Sequence, residues 1–146
     1  HSESSDVDIW MKRLGIDGLA DRYPRQISGG QRQRCGLART LVLQPDVLLM
    51  DEPFSSLDAP TREGLQNLTL DLCAEQSLTL VVVTHAIEEA AVLGEKILLL
   101  GQPPNREAVV IDNPASGRAG YRESSEYQAL CRLLRARLES RDEVRI

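Results

Sequence analysis

Lysine is almost missing from this chain. Its 17 basic residues include only two lysines, Lys12 and Lys96, and the rest are arginines. Against them stand 22 acidic residues and a net charge of −5, so no broad basic field is present to draw in a polyanion. Aromatic residues make up 3 % of the chain, too few for a surface that stacks bases. Cys35, Cys73 and Cys131 are odd in number and far apart. They follow neither zinc-ligand spacing nor a disulfide framework, which fits a reducing cytosol. No apolar run approaches the roughly 18 residues of a membrane-spanning helix. The opening HSESSDVD is polar and acidic, unlike a signal peptide, and reads as a disordered lead through residue 7. No internal repeat is visible. What is present is ordinary for a globular domain: 146 residues, 42 % hydrophobic and 27 % charged, enough for one real core.

The most informative stretch is Val47 to Asp58, VLLMDEPFSSLD. Four consecutive apolar residues predict a strand buried on both faces, as in a parallel sheet covered by helices. Asp51 and Glu52 then stand at its carboxyl end, where open α/β sheets place their ligands. Pro53 cannot donate to the ladder and stops the strand. One carboxylate there could hold Mg²⁺, a hard ion that prefers oxygen, and the next could orient or deprotonate water. An acidic surface turn after a core strand would use the same letters.

A second stretch, Gln26 to Leu43, reads QISGGQRQRCGLARTLVL. Leu37, Ala38, Leu41 and Val42 recur at helical spacing and predict one apolar helix face. Ser28 caps or precedes that helix, and Gly29 and Gly30 allow close backbone approach. Exposed amides and the dipole at such a helix start suit an anion, so Ser28-Gly29-Gly30-Gln31 could touch a phosphate. A flexible Gly-Gly turn ahead of a core helix is the plainer alternative.

Elsewhere the pattern alternates helix and strand. Asp8–Leu14 predicts a short helix burying Ile9, Trp10 and Leu14. Ile16–Tyr23 predicts a further helical turn or two, ended by Pro24. Ala59–Glu75 predicts an amphipathic helix with Leu65, Leu68, Leu72 and Cys73 on one side and Pro60 in its first turn. Leu78–Thr84 predicts a second buried strand, ended by His85. A helix over Ala86–Leu93, a strand over Ile97–Leu100, a turn over Gly101–Arg106 and an exposed strand over Ala108–Ile111 follow. Asn113–Gly120 reads as a loop. Glu123–Leu138 predicts a last helix with Tyr127, Leu130, Leu134 and Leu138 on one face. Arg132, Arg135 and Arg137 beside them read as a solvated basic face, with docking on a partner or an anionic lipid surface as the alternative. Helices between strands predict an α/β fold with a mostly parallel sheet.

Ser28-Gly29-Gly30-Gln31, Asp51-Glu52-Pro53, Ser56-Leu57-Asp58 and His85 stand in a fixed order. ISGGQRQR, LLMDEP, SSLD and VTH resemble, in that order and spacing, the signature, Walker B, D-loop and switch-histidine motifs of the ATP-binding cassette (ABC) ATPases. Ile27 stands where leucine is commoner. The resemblance runs from about Ile9 to Ile111 and implies a partial P-loop NTPase fold. It implies that Asp51 holds Mg²⁺ through water, that Glu52 is the general base or orients the water, and that His85 contacts the γ-phosphate of ATP. It also implies that Ser28, Gly29, Gly30 and Gln31 touch the γ-phosphate bound by a second ATPase subunit in a homodimer, and that Asp58 tunes the dimer interface. Residues 1–112 would belong to the nucleotide-binding domain and 113–146 to a C-terminal extension.

The phosphate loop of such a cassette needs Gly-x-x-x-x-Gly-Lys followed by Ser or Thr. Lys12 is followed by Arg13 and Lys96 by Ile97, and neither has the glycines. The Walker A strand and loop are therefore missing from these residues, as is the glutamine loop. The chain is expected to bind ATP weakly and to hydrolyse essentially none alone. In the family the missing strand lies between the one ending at His85 and Ile97–Leu100. Its absence is expected to leave exposed strand edges and to promote self-association or a non-native rearrangement.

PFSSLDAPTRE and VTHAIEEAAVLGEKILLL are similar to bacterial importers of the nitrate, sulfonate and taurine type. That resemblance implies transmembrane permease partners, indirect dependence on a periplasmic solute-binding protein, and a place on the cytoplasmic face of the inner membrane. Two readings of other classes share the motifs. One is a nucleic-acid-associated ABC-type ATPase, disfavoured by the acidic charge and the lack of sustained heptads. The other is a catalytically silent interaction module.

Overall fold

Helix α1 runs from Ser2 to Arg13 in the computed structural model, which describes residues 2–101 and 109–142. The lead expected to be disordered is thus mostly helical. Trp10 and Leu14 are buried, but Ile9 is 53 % exposed rather than in the core. Neighbouring helical positions differ by about 100° in direction, so a face that buries Trp10 and Leu14 turns Ile9 outward. Arg13 stacks its guanidinium over the Trp10 ring at 4.8 Å and pairs with Glu75. Gly15, at φ 64°, reverses the chain after the helix. A 3-10 turn at Asp17–Leu19 and another at Pro24–Gln26 lead to α2, Gly29–Leu41. Arg34 donates to the Leu14 carbonyl at 2.9 Å and ties α2 to the end of α1.

Strand β1, Val47–Asp51, is followed by the crossover helix α3, Ala59–Gln76, and by β2, Thr79–Val83, which pairs with β1. Leu65, Leu72 and Cys73 of α3 are buried as its periodicity predicts, joined by Gln66 and Thr69. Thr69 meets its hydrogen-bonding need locally, donating to the Leu65 carbonyl at 2.8 Å. Burial pushes the Cys73 thiol up, so it behaves as a core residue. β1 departs from expectation. Leu48 is buried, but Val47 is 53 % and Leu49 68 % exposed. Alternate side chains of a strand point to opposite faces, and the described residues cover one face only. Val81 and Val83 of β2 are exposed in the same alternating way.

Compact packing divides the chain between Val81 and Val82, within β2. The second unit holds α4, Ile87–Leu93, then β3, Lys96–Leu99, paired antiparallel with β4, Val109–Asp112. β2 and β3 therefore belong to separate two-stranded sheets among the described residues. The Lys96 ammonium meets Asp112 at 2.6 Å across the first rung of the β3–β4 register. The turn expected over Gly101–Arg106 and the strand position at Ala108 fall almost wholly outside the described residues. Helix α5, Ser125–Asp142, buries Cys131 and Leu134 against Ala91, Ile97 and Leu99, with Tyr127, Leu130 and Leu138 at the margin. The face is the one its periodicity predicts. Of the flanking arginines, Arg135 reaches Glu88 of α4 at 3.1 Å, an exposed pair of small worth.

The segment read as a plain loop, Asn113–Gly120, fastens this unit. A helix leaves its last carbonyls without intrahelical partners. The Asn113 amide donates to the carbonyls of Ala91 at 2.8 Å and Gly94 at 2.9 Å, and the Ser116 hydroxyl donates to Val92 at 2.8 Å. Tyr121 donates its hydroxyl to the Asn113 side-chain oxygen at 2.6 Å. The Tyr121 and Tyr127 rings pack edge to face at 5.6 Å. Burial, then the neighbouring Cys131, pushes the Tyr127 phenol up to about 12. Tyr121→Phe leaves the buried Asn113 oxygen without its donor, at a cost of about 1–3 kcal/mol. Urea denaturation should therefore show a lower midpoint with an unchanged slope, and an unchanged midpoint would show that the latch contributes nothing.

Candidate functional site

Three helix beginnings carry the residues singled out in the sequence. At α2, Ser28 is the cap. Its Oγ accepts from the Gln31 amide at 3.2 Å, while the Gln31 side-chain oxygen accepts from the Ser28 amide at 2.8 Å. This reciprocal box fixes both side chains and orders the helix start. The Ser28 hydroxyl proton and the Gln31 side-chain amide remain chemically able to donate. Among the described residues no acceptor takes the Gly29 or Gly30 amide. The arrangement is a rigid set of donors at the positive end of a thirteen-residue helix.

The two glycines also serve packing. A Cβ on Gly30 would lie 2.6 Å from the Thr61 methyl, and one on Gly29 would lie 3.2 Å from Leu57 Cδ2. Thr61 is in the first turn of α3, so the start of α2 is seated against the start of α3. The absence of side chains at 29 and 30 is thus explained by fit between two helices as well as by access to a ligand.

Asp58 caps α3. Its carboxylate accepts from the Thr61 amide at 3.3 Å. Hydrogen bonds from Thr61, side chain first and backbone second, hold this carboxyl below the usual carboxylate range. Between β1 and this cap, Pro53, Phe54 and Leu57 are buried and anchor the turn, while Ser55 and Ser56 face outward. Arg62 donates to the Leu57 carbonyl at 2.7 Å and closes it.

Asp51 ends β1 with an exposed side chain. Glu52, half-buried, follows with φ 45°. A non-glycine residue in the left-handed region carries strain, on the order of 1–3 kcal/mol, and such strain concentrates at functional sites. The turn re-aims the Glu52 side chain relative to the strand that presents it. The Ser55 hydroxyl donates to the Glu52 carbonyl at 3.1 Å and helps to hold this geometry.

No group of three or more His, Cys, Asp or Glu side chains that could hold a metal occurs among the described residues. A lone exposed carboxylate at a strand end does fit Mg²⁺, which keeps most of its waters and is bound by one or two carboxylates together with substrate phosphates. The 146 residues contain no Gly-x-x-x-x-Gly-Lys pattern, so nothing in them replaces that loop for holding the phosphates of ATP.

His85 lies in the second unit, exposed, on the link from β2 to α4. Thr84 before it and Glu89 after it were not singled out as site residues by sequence reasoning. Thr84 donates its hydroxyl to Glu89 at 2.7 Å and accepts from the Ala86 amide at 3.1 Å. A threonine three residues ahead of a helix's first residue is a visible signal for such a turn. Its link to Glu89 is not readable from spacing.

Residues 2–55 match the family model described as ABC transporter. The chain is 42 % identical over 100 residues to the taurine import ATP-binding protein of Pelagibacter ubique, covering 68 % of this chain and 38 % of that protein. It is 41 % identical over 107 residues to an aliphatic sulfonates import ATP-binding protein of Bacillus cereus, covering 73 % and 43 %. Among solved structures, CbiO1 of Clostridium perfringens, part of an ABC transporter complex, aligns with TM-score 0.67 and 28 % identity over 77 % of this chain and 43 % of that one. An ATP-binding cassette of an ABC transporter in its ADP conformation shares the fold, with TM-score 0.69 at 17 % identity over 89 % and 50 %.

If close approach to Thr61 is what keeps position 30 free of a side chain, Gly30→Ala should lower stability and Thr61→Ser, which removes the opposing methyl, should recover most of the loss. A thermal-unfolding double-mutant cycle measures this, and purely additive effects would refute it. The chain spans about two fifths of the length of the curated relatives it matches; it matches the ABC-transporter family over residues 2–55 and resembles part of the ATP-binding proteins of that family.

Proposed function

We propose that this chain is part of the ATP-hydrolysing subunit of an ABC importer of the nitrate, sulfonate and taurine type. The observation that carries this reading is Glu52, held in a left-handed turn at the carboxyl end of β1, directly after Asp51. Relatives named for taurine and aliphatic sulfonate import support the branch.

The reaction would be transfer of the γ-phosphoryl group of ATP to water, in which positioning and electrostatics supply most of the rate. Asp51 would hold Mg²⁺ through a water ligand. When bound, that ion neutralises charge on the phosphate oxygens. Glu52 would orient the attacking water and take up its proton. His85 would donate to a γ-phosphate oxygen. The Ser28 hydroxyl, the Gly29 and Gly30 amides and the Gln31 side chain would donate to the γ-phosphate held on the opposite subunit of a homodimer. Asp58, by setting the start of α3, would shape the subunit contact. Permease subunits would hold the protein on the cytoplasmic face of the membrane, with a periplasmic solute-binding protein acting through them. Among the described residues no helix is long and apolar enough to cross a membrane. The net charge of −5 supports an importer over a nucleic-acid-associated ATPase.

The exposed apolar side chains of β1 and β2 give the isolated chain a reason to self-associate. Light scattering should show oligomers that grow with concentration, and a clean monomer at high concentration would refute this. For the catalytic reading, the test is ATP turnover by the full-length gene product carrying these residues. Glu52→Gln should lower kcat by about 10²-fold or more while ATP still binds. The 146-residue chain alone should show essentially no turnover. Unchanged turnover in Glu52→Gln, or full activity of the isolated chain, would overturn the assignment.

A further inference from the structure

We propose that Thr84 and Glu89 are positioning residues for His85, a coupling that rests on the catalytic reading of His85 given above. His85 is exposed, and its neighbours fix its backbone on both sides. Thr84 Oγ1 accepts from the Ala86 amide at 3.1 Å, closing a turn with His85 at its centre. A threonine hydroxyl can point its lone pairs in several directions. Here its proton is committed to Glu89 Oε2 at 2.7 Å, which turns the lone pairs toward Ala86.

Glu89 is suited to that task because it cannot drift. It is 3 % exposed, in the first turn of α4, and its own amide donates to the Ala86 carbonyl at 3.1 Å. A buried carboxylate is costly unless it is hydrogen-bonded, and in that turn the helix dipole also favours its charge. Ala86 has no side chain able to cap α4, and the Thr84 hydroxyl satisfies its amide instead. The order of constraint runs from the buried carboxylate to the hydroxyl to the turn. His85 thereby inherits a defined backbone direction. Misplacement of such a group by about 1 Å can cost on the order of 10²-fold in rate.

The experiment uses the histidine ring signals in carbon–proton correlation spectra of the chain. His1 and His85 are its only histidines, and His85→Ala assigns them. Thr84→Val and Glu89→Leu should each move the His85 signal to that of a freely averaging imidazole. Thr84→Ser, which keeps the hydroxyl, and Glu89→Gln, which keeps an acceptor, should leave it in place. The Tyr121 and Tyr127 ring signals report separately that the unit is folded. If Thr84→Val does not fold, Thr84→Ala is read in the same way. An unmoved His85 signal in folded variants lacking the hydroxyl or the acceptor overturns the proposal. In the full-length gene product, Thr84→Val should lower kcat about ten- to a hundredfold with KM within about twofold, and Thr84→Ser should restore it. If His85→Ala leaves turnover intact, the catalytic role of His85 falls, while the ring spectra still decide the positioning. A kcat loss in Thr84→Val without one in His85→Ala overturns the coupling.

Discussion

Every α-helix begins with amides that the helix itself cannot satisfy, and this chain resolves that need at the segments that resemble cassette motifs. Ser28 Oγ, Asp58 Oδ2 and Thr84 Oγ1 each accept a backbone amide at the start of a helix. Each belongs to, or adjoins, a segment resembling a cassette motif. The same oxygen that terminates a loop therefore fixes the direction of neighbouring functional groups: the Gly29 and Gly30 amides, the turn before α3, and His85.

The far end of α4 carries the complementary burden. Its last carbonyls are taken by Asn113 and Ser116 from a segment distant in sequence, and Asn113 is itself held by Tyr121. The antiparallel β3–β4 pair supplies the apolar surface on which α4 and α5 rest.

How much of this was legible depended on whether the cause was local. Helix periodicity gave the buried faces of α2, α3 and α5, because each is set by residues three and four apart. Ser28 was readable as a cap, since serine before two glycines and a helical pattern has few other uses. The motif order gave the cassette. Val47 and Leu49 were misread because a run of apolar residues reports what a strand is suited to bury, not whether both its faces are covered. Ile9 was misread because one apolar residue beside Trp10 does not define the face. The part of α1 ahead of Asp8 was missed since a polar, serine-rich start carries no periodic signal, whereas a helix from Asp8 onward was expected. Asn113, Tyr121 and the Thr84–Glu89 link were invisible for a different reason: a polar residue's partner is chosen by tertiary proximity, which spacing does not encode. Gly30 was only half read, because the Thr61 methyl that excludes a side chain lies on another helix.

The left-handed backbone at Glu52 sets selection for durability against selection for chemistry. Glycine adopts that conformation with no steric penalty, so a search guided by thermal tolerance alone would be drawn to replace the glutamate. The replacement would relax the turn and delete the carboxylate proposed to handle water. A hardened variant of this protein is therefore best sought at helix interiors and surface turns rather than where the strand ends.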